Sequence, residues 1–95
     1  MRKFGKDAPR FMTFQMEGDE TTYKLPLASS MPADELIALS EAETLGEVAA
    51  GRQQLSILAK YMGEEAANSL NLADVRNIFV AWLEESKAMG ASQGE

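Results

Sequence analysis

The chain of 95 residues has no cysteine and no histidine. The first absence excludes disulfides, thiolate nucleophiles and cysteine-ligated metal. The second removes the commonest general base and the commonest metal ligand. The seven serines have no histidine to activate them. Proline occurs only three times and tryptophan once, so each marks a particular place in the chain. No apolar run approaches the roughly 20 residues that span a bilayer, and no apolar segment follows the basic start as in a secretory signal. No membrane association is expected. No Gly-rich phosphate loop is present: Gly46 and Gly51 lack the lysine and hydroxyl residue that a P-loop needs. Asp19-Glu20 after Gly18 lacks the alternating oxygen ligands of a calcium loop. The expectation is a protein that is not an enzyme and holds no cofactor or metal.

What is present is an ordinary globular composition, 45% hydrophobic and 25% charged, of a size for one domain. The net charge of −6 argues against nucleic acid as a partner. Residues 1–10 carry +3 and the remainder −9, a basic arm on an acidic body. Domain boundaries follow: a flexible arm over 1–10, one globular domain over 11–90, and a flexible tail over 91–95.

The organising stretch runs from Asn71 to Gly90. Val75, Ile78, Phe79, Trp82 and Leu83 recur at i, i+3, i+4, i+7 and i+8, one face of an α-helix. Asn71 caps this helix, Asp74 stands at the capping-box position, and Gly90 is expected to close it. Upstream, Met12, Phe14 and Met16 alternate, Glu17-Gly18-Asp19-Glu20 forms a turn, and Thr21-Thr22-Tyr23-Lys24-Leu25 favours extended structure up to Pro26. This predicts a β-hairpin, which alone is marginal in water and needs a helix beneath it. A helix is expected from Pro32 to about Ala42. A second is expected from Thr44 to Tyr61, capped by Thr44 with Glu47 three residues on. Its buried stripe would hold Val48, Leu55, Leu58 and Met62, with Ile57 and Tyr61 beside it. Gly63 is its expected stop, and Glu64 to Leu70 offers a short helical turn. The fold class expected is α+β, a mainly helical small domain with an N-terminal β-hairpin followed by about three helices.

Candidate chemistry is sparse. Glu64-Glu65 and Glu84-Glu85 are sequence neighbours that point apart on a helix, so they make solvated faces rather than acid/base pairs. Asn68-Ser69-Leu70 is similar to the Asp-Ser-Leu of acyl carrier proteins, whose serine bears a phosphopantetheine arm. Here asparagine replaces the acid and a hairpin precedes the helices. Tyr61, Phe79 and Trp82 suit either core packing or an aromatic binding patch. The six methionines suit either gap-filling or an adaptable surface for helical partners.

The order of segments resembles the tail assembly chaperones of long-tailed bacteriophages. The resemblance runs from about Phe11 to Glu95. It is carried by a strand pair with a Gly-Asp turn leading to Tyr23-Lys24-Leu25-Pro26-Leu27, and by a proline-started helix near Met31-Pro32. The stretch Leu58-Ala59-Lys60-Tyr61-Met62-Gly63-Glu64-Glu65 and the helix from Leu72-Ala73-Asp74-Val75 through Ala81-Trp82-Leu83-Glu84-Glu85-Ser86 complete it. The resemblance implies a chaperone that binds the tape-measure protein, a long helical polypeptide, and keeps it soluble while tail-tube subunits assemble. The tail-tube protein is a further candidate partner. It also implies a location in the cytoplasm of a bacterial host, whether phage or prophage, and absence from the finished virion. Many such chaperones exist in two lengths through a translational frameshift. This chain would match the short form, its Gly94-Glu95 compatible with G-rich slippery codons.

Read from the residues, an apolar partner helix would dock in a groove beside the last helix, lined by residues around Tyr61, Ile78, Phe79 and Trp82. Exposed apolar surface on so short a chain also favours a homo-oligomer, as a ring or filament around an extended partner. The alternative is a small acidic interaction adaptor or regulator of prophage or host origin.

Overall fold

A computed structural model describes residues 9–93, with side chains described as far as Ala88. The architecture is an antiparallel hairpin followed by four helices. Strand β1 (Phe11–Phe14) pairs with β2 (Tyr23–Pro26) in the register Phe11↔Pro26, Met12↔Leu25, Thr13↔Lys24 and Phe14↔Tyr23. Helices α1 (Ala33–Leu45), α2 (Glu47–Met62), α3 (Glu64–Asn68) and α4 (Leu72–Gln93) follow. The α+β class expected from the sequence is the one observed.

The hairpin forms where alternation placed it. Met12 and Leu25 are buried under the sheet, and Phe14 and Met16 pack at the edge of the same core. Gly18 turns the chain at φ +83°, a conformation other residues avoid. Asp19 then pins the return: its carboxylate accepts the Thr21 N–H at 2.9 Å and the Tyr23 hydroxyl at 2.6 Å. The Tyr23 bond holds the Asp19 carboxyl below its ordinary range, and the same bond raises the Tyr23 phenol. Arg10, expected in a loose arm, is tied to this unit. Its carbonyl accepts the Leu27 N–H and its own N–H donates to Ser30 Oγ. The arm's residues 1–8 lie outside the described residues.

The helix boundaries correct the sequence reading in two places. Thr44 does not cap the second helix. It belongs to α1, where its hydroxyl donates to the Glu41 carbonyl. The break falls two residues later, at Gly46, whose φ of +117° ends α1 and opens α2. The missing capping box is explained by geometry: Thr44 is still helical, so its side chain cannot reach forward to Glu47. Gly63 ends α2 as expected, at φ +97°. At the other end of the chain, Gly90 does not close α4, which continues to Gln93. A helical glycine costs only about 1 kcal/mol, and the residues that follow bring no proline to force a stop.

Helix α4 starts as the sequence predicts. The Asp74 N–H donates to Asn71 Oδ1 at 2.8 Å, and the Asn71 N–H returns a bond to Asp74 Oδ2 at 3.2 Å, a reciprocal capping box. No side chain caps α1, α2 or α3. Val75, Ile78, Phe79 and Trp82 enter a core shared with Met12, Leu25, Leu27, Met31, Leu39, Ile57, Leu58 and Ala67. Two further bonds fasten the exit of β2 to α4. The Trp82 indole N–H donates to the Pro26 carbonyl at 2.7 Å, and the Ala28 N–H donates to Ser86 Oγ at 3.1 Å. Trp82 and Ser86 are one helical turn apart, so a single face of α4 carries both.

Candidate protein-binding face

Helix α4 is apolar over a wider arc than it buries. At 100° per residue, Ile78, Trp82, Val75 and Phe79 are followed round the axis by Leu72, Leu83 and Val80, an arc of roughly 200°. The first four are buried. The last three are 57%, 47% and 56% exposed. Leu83 was expected on the buried stripe. It lies at the edge of that stripe, where α1 and α2 no longer cover the helix.

The uncovered arc borders a shallow groove. Leu39 and Glu43 of α1, Gln54 of α2 and Arg76, Phe79, Val80, Trp82 and Leu83 of α4 line a hollow of about 150 Å³. A smaller hollow of about 90 Å³ continues it between Gly51 of α2 and Leu72 of α4, sharing Gln54 and Arg76. A Cβ at Gly51 would stand 3.1 Å from Leu72 Cδ1. Arg76 and Glu47 pair across the seam at 3.3 Å, both well exposed, so the pair contributes little to stability. Nearby, Leu45 at the end of α1 and Val48 at the start of α2 are 79% and 75% exposed. Val48 was expected in the buried stripe of the second helix. The turn at Gly46 instead leaves it outside the core.

The four residues expected around a groove fall in three different situations. Phe79 and Trp82 form the floor of the hollow just described, their rings 5.5 Å apart, with most of each side chain in the core. Ile78 lines a separate groove of about 320 Å³ beneath β1, with Met12 to Met16, Asn77, Ala81 and Glu85. Tyr61 lines neither. Its hydroxyl donates to Glu35 Oε1 at 2.9 Å, and Lys60 Nζ binds the other oxygen of the same carboxylate. Burial and then the Glu35 bond raise the Tyr61 phenol, while the Glu35 bond raises Lys60. This knot joins α1 to α2.

Ser69 follows the end of α3 and its hydroxyl donates to the Ala66 carbonyl at 2.7 Å. Among the described residues, no group of three His, Cys, Asp or Glu is arranged to hold a metal ion. No described helix is long and apolar enough to cross a membrane. Sequence reasoning missed Leu72 and Val80 because it sought one helical stripe. The breadth of the apolar arc was the signal available. No family model, curated protein or solved structure matches the chain.

Proposed function

We propose that this chain is a non-catalytic chaperone of phage tail assembly, which holds the helical tape-measure protein in solution through the exposed arc of α4. The observation that carries the reading is the row Leu72, Val80 and Leu83 standing exposed along the hollow floored by Phe79 and Trp82. A hollow of about 150 Å³ takes one or two side chains, not a whole helix. The partner helix therefore lies across α4 and inserts apolar residues spaced i and i+3 or i+4. The resemblance in segment order supplies the kind of partner. The acidic body keeps the complex soluble while its apolar face is occupied.

The test is co-expression with a tape-measure polypeptide, using a Val80→Ser, Leu83→Gln double variant. Both positions are exposed, so the variant is expected to fold with the melting profile of the parent. It should fail to keep the partner soluble and fail to retain it in a pull-down. Retention of the partner at parental levels by a folded double variant overturns the placement. Failure of the parent chain to bind any tape-measure polypeptide overturns the function.

A further inference from the structure

The two edges of the hairpin are finished differently. Antiparallel pairing alternates between residues that bond across the ladder and residues whose N–H and C=O point away from it. The Leu27 N–H bonds to the Arg10 carbonyl, so Arg10/Leu27, Met12/Leu25 and Phe14/Tyr23 are the bonded pairs. Phe11 and Thr13 on β1, and Lys24 and Pro26 on β2, therefore direct their backbone groups outward. The β2 edge is closed: Pro26 has no N–H to offer, its carbonyl takes the Trp82 indole, and Lys24 adds a charge. The β1 edge has none of these devices. From Phe11 to Met16 it carries no charge, no proline and no glycine. Phe11, Thr13 and Gln15 are exposed, and no described group bonds to the backbone of Phe11 or Thr13.

We infer that β1 pairs antiparallel, edge to edge, with β1 of a second copy of this chain, across a two-fold axis at Thr13. Self-pairing is favoured by the composition of the segment. Six uncharged residues meet themselves without the repulsion that a net charge of −6 imposes elsewhere. Below the sheet, Met12 of one copy comes opposite Phe14 of the other, extending apolar cover over the groove that Ile78 floors. The result is a four-stranded sheet with both β2 edges closed. Its interface is small, below about 1,200 Å², which places it among transient contacts. It uses a different surface from the α4 arc, so partner binding and self-pairing are separable.

Sedimentation velocity on the full chain, from about 10 µM to about 1 mM, tests this and should show a concentration-dependent monomer–dimer equilibrium. Thr13→Pro deletes an outward N–H that the hairpin does not use, and should weaken the dimer at least tenfold, roughly, because the two-fold axis doubles the loss. Thr13→Lys keeps that N–H but sets two ammonium groups across the axis. It should also weaken the dimer, with recovery in high salt. Circular dichroism establishes that each variant folds, and if the proline variant does not, the lysine variant decides. Lys24→Thr, on the closed edge, should leave the equilibrium unchanged. A parent chain that is monomeric throughout overturns the inference and leaves the edge to a foreign strand. A dimer that survives both Thr13 variants in folded form overturns it in favour of association through the α4 arc.

Discussion

Two sides of one helix divide the work in this molecule. On one side of α4, Val75, Ile78, Phe79 and Trp82 meet the hairpin and α2 and disappear into the core. On the adjoining side, Leu72, Val80 and Leu83 are of the same chemical kind yet stand exposed. Apolar character alone does not decide between core and surface. The difference arises because α1 and α2 reach only part of the way round, meeting at a glycine turn on either side of which Leu45 and Val48 are exposed as well.

The sharpest way to break this contrast is at Trp82. Removing a buried indole leaves a cavity and an unpaired Pro26 carbonyl. Trp82→Ala should lose about 3–5 kcal/mol, seen as a large fall in the urea midpoint, with unfolding as the extreme outcome. For that reason a loss of binding in Trp82→Ala would say nothing about the partner surface. Next in size is the cap. Asn71→Ala removes an acceptor from the start of α4 and should cost about 1 kcal/mol, whereas Asn68→Ala, just outside the cap, should cost much less.

Gly51→Ala tests how tightly the exposed side is held. The new methyl group would meet Leu72 Cδ1 at 3.1 Å, and an exposed leucine can swing aside. Stability should rise by up to about 1 kcal/mol, read as a higher midpoint, because alanine favours the helix. A fall instead would mean that Leu72 is wedged in place and belongs to the core. Smaller again is the effect of Val80→Ser with Leu83→Gln, which should stay within about 0.5 kcal/mol per site if that arc faces water.

A pH series examines the seams away from α4. Tyr23, Tyr61 and Lys60 all have folded values raised above the ordinary 10.0 or 10.5, so each favours the protonated, folded form. Their contribution is complete below pH 10 and is lost as pH rises through the folded values. Asp19 has the opposite sense: its lowered value makes a contribution that is present above 3.8 and is lost as pH falls through the folded value. Stability should therefore decline at both extremes, with the alkaline decline shallower in Tyr61→Phe and the acid decline shallower in Tyr23→Phe.

Much of this was legible in advance because it is local. Alternation at Met12, Phe14 and Met16 marked β1, Gly18 marked the turn, and Gly63 marked the end of α2. Asn71 and Asp74 announced the start of α4 through a bond pattern that spans only three residues. The misreadings have a common cause. Thr44 has the chemistry of a cap, but whether a residue caps or continues a helix depends on where the next glycine turns. Val48 and Leu83 have the chemistry of core residues, but burial requires a neighbour to cover them.

The candidate site was legible only in outline. Phe79 and Trp82 do floor a hollow beside the last helix, while Ile78 serves another groove and Tyr61 ties α1 to α2. The amino-acid order by itself determined the elements, the capped start of α4 and its broad apolar surface, since these follow from contacts within a few residues. Which part of that surface is covered, and which strand edge no described residue pairs with, was decided only when the chain folded back on itself. Coverage depends on elements far apart in the sequence, and no local pattern encodes their reach.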